Sequence, residues 1–522
     1  MELPTVSNAA VIAGFSSLVL YCVLGALYRL YFHPLAKFPG PRLAAVTGWY
    51  EFYHDIIHRG LFIWHIQKLH DQYGEFEEDE ILVYLLNSDA GPIVRITPSE
   101  LHIRDPDYYE EIYAAAAKKK DKWSGWVVMA GAPDSAFATA SHNLHRLRRS
   151  ALNPFFSKRA IANNEAQIKE KIEHLCRRLK DCIENDEVVR LDAAFMALTM
   201  DIITQFAFGD SYNYLEEPDF KLEWKETVIG GSANGVFLRQ FPWALPILKA
   251  TPLSLLQVAN PKAARLVAWQ HMMRRQADAI LAKNAAGKKA EGTIFQAVLD
   301  SDIPLAEKTA ERLTDEAQTL VGAGSETTAK SLAMISFFLA SDRKKLQKLR
   351  DEILTIGPEP DGSFVLLKLE QLPYLTACIT EGVRMMSGVT TRLPRVAHEP
   401  MKYQEWEIPT GTPVSQMNYV VNNDPKLFPK PLEFHPERWI EAEDSGIRLD
   451  RYMVSFGKGS RSCVGINLAW AELYLTLAYV ATRFDMEVYD TTAERDVLID
   501  RDFFVGVPKE ESKGIRVKVV KA

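Results

Sequence analysis

Cysteine is scarce in this 522-residue chain. The five present (Cys22, Cys176, Cys182, Cys378 and Cys463) are odd in number and scattered. That pattern is no disulfide framework and fits a reducing compartment. Cys176 and Cys182 are six apart, and no Cys-x-x-Cys or His-x3-His pair accompanies those two, so a zinc site is not expected. A basic excess is also missing. The formal net charge is −7, which gives no support for nucleic-acid binding, although local basic patches could still dock an acidic protein partner. Internal repeats, long low-complexity linkers and series of βαβ units are absent too. Apolar content of 47% and charged content of 25% are ordinary for a globular protein. At the usual ~100–200 residues per domain the length suggests two or three domains. Large one-core enzymes exceed that size, and a chain this long buries enough to enclose a cofactor.

One further absence is informative. Between Val6 and Tyr28 there is no charged residue. The stretch Ala9–Tyr28 would span roughly 30 Å as a helix, enough to cross a bilayer core. Glu2 precedes it, while Arg29, His33, Lys37 and Arg42 follow, an asymmetry that puts the remaining chain on the cytosolic side. Tyr28, Tyr31 and Phe32 would sit at the interface. A cleaved signal peptide would need a basic leading segment, and a buried core helix is disfavoured by the lack of any polar face. Phe38-Pro39-Gly40-Pro41 then predicts a stiff turn. The expected division is an anchor over 1–32 and one catalytic domain over 33–522.

Short strands are predicted at Gly91–Ile96 and Leu101–Ile103. From about Asp107 to Arg350 the pattern is mostly helical, with long helices at Ser141–Leu152, Ala160–Asp181, Asp192–Ala207, Pro261–Asn284 and Thr314–Ala340. Further helices are expected at Leu372–Met386 and Val464–Arg483, with strands and proline-rich loops between Pro394 and Trp439. Two apolar runs within Phe503–Val520, separated by Pro508–Gly514, predict a β-hairpin with a long loop. The expected fold is mainly α with small sheets.

The chemistry concentrates in Phe456-Gly457-Lys458-Gly459-Ser460-Arg461-Ser462-Cys463-Val464-Gly465. Three glycines permit close approach of backbone to a flat cofactor. Backbone N–H groups at the following helix start favour a thiolate. A lone cysteine is more often a small buried hydrophobe, but the full frame argues otherwise. Gly457–Ser460 lacks the Gly-x4-Gly-Lys spacing of a phosphate loop.

This loop resembles the haem-binding signature of the cytochrome P450 superfamily, Phe-x-x-Gly-x-Arg-x-Cys-x-Gly, at every fixed position. The resemblance implies the fold of that family, with haem b between the long central helix and the helix after the loop, and Cys463 as axial ligand of the iron. Three more segments match in order. Ala323–Thr328, in the middle of the long helix, is similar to the oxygen-activation motif. There a local kink or groove is expected, with Glu326 and Thr327 supporting proton delivery as the catalytic pair; a solvated helix turn is the bland alternative. Glu381 and Arg384, at i, i+3, share a helix face. In isolation they would be an ordinary surface pair; in the family they are buried and lock onto an arginine, here Arg438. His145 and Arg149 match an aromatic-x3-Arg pair that holds haem propionates, with His in place of the usual Trp. By the same similarity Arg395 and Arg461 bind propionates and Phe456 belongs to the cofactor site. Ala323, Val389–Thr391 and Val505 are implied pocket residues. Asn422 and Asn423 replace a more usual His, at no foreseen cost.

His145–Ser157 and Phe206–Leu215 are similar to enzymes of filamentous fungi, nearest to the trichodiene oxygenase-like group. The resemblance therefore implies a monooxygenase that inserts one atom of O2 into an apolar small molecule. The setting it implies is fungal terpenoid, polyketide or mycotoxin biosynthesis. It also implies single-pass anchoring in the endoplasmic reticulum membrane and electrons from NADPH through a separate NADPH-cytochrome P450 reductase, cytochrome b5 being a further candidate donor. No flavin or nicotinamide site is visible in the sequence. A haem-thiolate isomerase or dehydratase working without external electrons, and a non-catalytic haem- or lipid-binding membrane protein, are the rival readings. The acid–alcohol pair Glu326/Thr327 argues against both.

Overall fold

A computed structural model describes residues 8–74, 92–114 and 118–521. The uncharged stretch forms helix α1 (Asn8–Leu27). Val11–Phe32 is long and apolar enough to cross a membrane and is not buried against the protein; Tyr28, Tyr31 and Phe32 are exposed at its far end. Val6 and Glu2 lie outside the described residues. The chain then turns sharply. Gly40 has φ +150, and a Cβ there would lie 2.4 Å from the Arg95 carbonyl oxygen, so only glycine fits this crossing.

After helix α2 (Phe62–Gly74) come β1 (Ile93–Arg95), β2 (Leu101–Ile103) and β3 (Lys120–Lys122); Gly91, where the first predicted strand began, lies outside the described residues. The helical body contains α3 (His142–Ser150), α4 (Glu165–Glu184), α5 (Leu191–Phe208, reached through β4, Val188–Arg190), α6 (Leu222–Gln240), α7 (Pro261–Ala285), α8 (Ala310–Ser341) and α9 (Pro373–Met386). Then follow β5 (Arg395–Ala397), β6 (Met401–Tyr403), β7 (Trp406–Ile408), β8 (Pro413–Ser415), α10 (Ile466–Arg483), β9 (Phe484–Val488), β10 (Arg501–Phe503), β11 (Val505–Val507) and β12 (Arg516–Lys521).

Most predicted helices lie within a few residues of these spans, and two differences have physical causes. The predicted helix Ala160–Asp181 breaks at Asn164, whose side-chain amide donates to the Ala160 carbonyl (2.9 Å) and ends the first segment. The predicted terminal hairpin does not form between the two apolar runs. β10 and β11 pair with each other across Phe504, while β12 pairs with β9 and β4. Strand β12 alternates buried Val517 and Val519 with outward Arg516 and Lys518, and joining a remote sheet buries that apolar edge where a local partner would not.

Helix α5 is buried on all sides and crosses α8 closely. The close crossing depends on Gly324, where a Cβ would sit 2.9 Å from Ile203 Cγ1. α4 buries a single stripe (Ile168, Ile172, Leu175, Cys176, Leu179) at helical spacing. The strands assemble as a five-stranded sheet ordered β1-β2-β8-β5-β3, a three-stranded sheet ordered β4-β12-β9, and the hairpins β6-β7 and β10-β11.

The pair Glu381/Arg384 is fully buried, as the resemblance implied. Arg384 donates to both Glu381 oxygens (2.9 and 2.8 Å). Arg438 Nε and Trp439 Nε1 each donate to Glu381 at 3.0 Å, and the His435 backbone N–H adds a further bond at 3.1 Å. The remaining Arg384 donors reach the carbonyls of Asn422 and Pro431, both at 2.8 Å. A Glu381→Gln variant leaves two buried guanidiniums without their counter-charge. Its stability in urea titration should fall by ~3–5 kcal/mol; a change within ~0.5 kcal/mol would contradict this role.

Candidate functional site

A cavity of about 780 Å³ lies between α8, α10, α6 and the β10–β11 hairpin. Its walls are mainly apolar, with Ile203, Leu266, Trp269, Val389, Phe504 and Val505 among them. The cysteine loop forms one end. Cys463 is enclosed deep in the protein, yet its surface is open because it borders the cavity. Its backbone N–H donates to the Phe456 carbonyl (2.8 Å), closing the loop. Burial pushes the Cys463 thiol up; the Gly465 backbone N–H and the Arg149 charge pull it down. Phe456 also borders the cavity and packs on Trp470, with ring centroids 5.9 Å apart.

Arg461 of the same loop, and Arg395, His145 and Arg149 on other segments, are expected cofactor residues that all border the same cavity. Arg149 Nη1 donates to the Ser462 carbonyl (2.7 Å), so α3 is tied to the cysteine loop. Arg461 donates to the carbonyls of Thr139 and Ala140, and its buried Nε has no partner among the described residues. Arg395 lies over the Tyr113 ring at 5.0 Å. His145 is buried, and its Nδ1 has no partner among the described residues. Burial, then the charges of Arg461, Lys122 and Arg149, push its imidazole down to about 2, so it stays neutral.

Sequence reasoning missed Lys122 on β3. It is buried, borders the cavity and lies over the Phe137 ring at 3.8 Å. Burial, then Arg395, Arg461 and Arg149, hold its ammonium well below the ordinary lysine range. Burial likewise presses the guanidiniums of Arg461, Arg395 and Arg149 downward. Asp121 and Glu316 act as partial counter-charges to Arg461 and Arg149. The wall therefore carries a positive surplus that an anionic group would relieve. A single lysine in the run Lys-Asp-Lys gives no sequence signal for this.

On the opposite side, Ala323 and Thr327 of α8 border the cavity. The helix is continuous through the motif, and its small residues also serve a helix contact. Gly324 admits Ile203, and Thr199 Oγ1 of α5 donates to the Ser325 carbonyl (2.6 Å). Thr327 Oγ1 donates to the Ala323 carbonyl (3.1 Å). Glu326 is buried beside it. Burial raises its carboxyl, opposed by the charges of Lys330 and Lys225. Lys330 stands one helical turn on from Glu326, whereas Lys225 comes from α6.

Of the implied pocket segment Val389–Thr391, Val389 borders the cavity. Thr390 instead turns away and donates to Asp502 (2.8 Å). Asn422 is fully buried: its amide donates to Ser455 Oγ (2.9 Å) and its oxygen accepts from the Val454 N–H (3.1 Å). It thereby fixes the backbone just before the cysteine loop.

A family model described as Cytochrome P450 matches residues 63–513. The chain is 42% identical over 507 residues to a conidiogenone synthase of Penicillium rubens, covering 97% of this chain and 98% of that protein. It is 41% identical over 503 residues to a tryptophan 6-hydroxylase of Fusarium equiseti, with 96% and 95% covered. It is 40% identical over 515 residues to the cytochrome P450 monooxygenase TRI4 of Fusarium sporotrichioides, with 97% and 95% covered.

Two glycines of the loop separate backbone need from mere smallness. Gly459 has φ +70, and a Cβ would lie 2.3 Å from the Tyr113 carbonyl oxygen. Gly465 has ordinary negative φ, and its nearest obstacle is Phe156 at 3.9 Å. Gly459→Ala should lower the unfolding free energy by more than ~1 kcal/mol, and Gly465→Ala by less than that. Equal thermal shifts in the two variants would refute this account of the loop.

Proposed function

The chain belongs to the cytochrome P450 family and is a monooxygenase, and from that premise we propose that its residues 33–522 form one catalytic domain that oxygenates apolar fungal secondary metabolites. Haem iron is the family's cofactor; when bound, it supplies dioxygen activation. The carrying observation is the convergence, around one apolar cavity, of Cys463 with the buried cationic wall of Lys122, Arg149, Arg395 and Arg461. A flat apolar macrocycle with one soft-ligand position and two carboxylates fits these features, and the unpartnered Nε of Arg461 and Nδ1 of His145 fit it too.

In this reading Cys463 would ligate the iron of haem b, and ligation would keep it a thiolate against the pull of burial. Arg461, Arg395, His145, Arg149 and Phe456 hold the macrocycle and its propionates, with Lys122 joining them. Thr327, at the cavity wall, orients a proton donor towards the reacting oxygen. Glu326 holds the proton behind it, within the field of Lys330 and Lys225. The apolar walls exclude water from the site. Two electrons per turnover come from NADPH through a reductase, with cytochrome b5 as a further donor. Val11–Phe32 anchors the protein in the endoplasmic reticulum membrane with its catalytic domain in the cytosol. The relatives named for tryptophan hydroxylation and conidiogenone synthesis point to an aromatic or terpenoid substrate.

The test of the ligand is spectroscopic. The reduced carbon monoxide complex should show the strongly red-shifted Soret band of thiolate ligation, and Cys463→Ser should lose it; an unshifted band in the intact protein would sink the assignment. For the proton path, Thr327→Ala should lower product formed per NADPH and raise peroxide release, with turnover falling by up to ~10²-fold. Unchanged coupling would remove Thr327 from the mechanism.

A further inference from the structure

Phe237, Trp243 and Ile247 border the cavity and are also exposed, by 39%, 63% and 59%. The passage from cavity to surface therefore opens at the end of α6. Phe241, between them, packs against Trp49 and Phe52, with ring centroids 6.3 and 5.9 Å apart. Those two residues belong to the helical turns Trp49–Ile57, which follow the apolar helix.

Beneath this aromatic contact lies a buried ionic cluster. Arg239, in the last turn of α6, is 8% exposed and donates through one nitrogen to both Glu51 and Asp55, the latter at 2.8 Å. Glu51 also accepts from Arg392, whose Nε donates to Glu100 (2.8 Å). Asp502 closes the cluster from the hairpin: its Oδ1 accepts from Thr390 Oγ1 (2.8 Å) and the Phe504 N–H (3.0 Å), and its own N–H donates to the Gly60 carbonyl (3.0 Å). The cluster thus stitches together α6, the turns after the apolar helix, and the hairpin that presents Phe504 and Val505 to the cavity.

Four buried carboxylates face two buried guanidiniums. Burial pushes the Asp55 carboxyl up to about 7; Glu51 and Asp502 add to that push, while Arg239 and Arg392 oppose it. Glu51, despite its burial, is held below the usual range by Arg239 and Arg392. Arg239 thus pairs through one nitrogen with both Glu51 and Asp55.

We propose that Arg239 is a positioning residue for the mouth of the substrate cavity: by bridging Glu51 and Asp55 it clamps the end of α6 to the segment that follows the apolar helix and sets the width of the passage. Its use for substrate rests on the monooxygenase reading above; the clamp itself does not. An apolar substrate carried in the membrane reaches the passage beside the anchor, and the clamp governs how fast bulky molecules enter and leave.

The test is hydrogen–deuterium exchange on the full-length protein in phosphatidylcholine nanodiscs. Arg239→Gln should raise exchange by at least ~10-fold in Glu51–Ile57 and Leu238–Ile247 while α8 and α10 stay protected. Asp55→Asn, which keeps the Glu51 bond, should raise it less in the same segments. In the haem-loaded protein, 4-phenylimidazole should associate faster with Arg239→Gln than with wild type, and imidazole at an unchanged rate. Unchanged exchange, or exchange raised evenly through α8 and α10, would overturn the proposal. A protein that fails to ligate either azole would refute the haem reading, while the exchange arm would still decide the clamp.

Discussion

The cysteine end of this protein is organised around one buried anion. Glu381 accepts from Arg384, Arg438, Trp439 and the His435 backbone, and Arg384 reaches on to the Asn422 and Pro431 carbonyls. Asn422 in turn holds Val454 and Ser455, immediately ahead of Phe456. A buried pair of this kind contributes little net stability compared with apolar packing. What it supplies is fixed geometry: helix α9, the proline-rich segment and the cysteine loop share a single hydrogen-bonded frame. Gly388 belongs to the same frame, since a Cβ there would lie 2.3 Å from the Ser455 carbonyl oxygen.

That frame places Cys463 opposite α8 across an apolar space, and the surrounding charge is arranged unevenly. Cations gather on the side of α3, β3 and β5, whereas the acid Glu326 lies on α8 with lysines behind it. The two sides suit different tasks. Positive surplus at a buried wall holds carboxylates at the rim of a flat apolar group. A buried carboxyl raised towards neutrality is suited to passing a proton at ordinary pH. The close α5–α8 crossing at Gly324 gives the acid–alcohol segment a rigid support.

Legibility in the sequence followed locality. The cysteine loop could be read because ten consecutive residues encode both the turn and the ligand. The helices could be read from apolar stripes, and the pair Glu381/Arg384 from its i, i+3 spacing. Lys122, Lys225, Asn422 and Arg239 were not legible. Each gains its role from a partner more than thirty positions away or on another element. β12 misled because a local hairpin and a remote sheet demand the same alternation of side chains. Thr390 misled because it sits next to a cavity residue but turns to Asp502. The small residues of Ala323–Thr328 also serve a contact with α5, which the motif by itself did not announce.

The oxygen that this cavity inserts into an apolar molecule comes from dioxygen. Its most direct measurement is product mass under ¹⁸O2, with the full-length protein co-expressed with a fungal reductase and supplied with sesquiterpene, diterpene and aromatic scaffolds. A reductase-dependent product carrying one oxygen atom from the labelled gas is expected. A product formed without reductase, or one whose added oxygen comes from water, would contradict it.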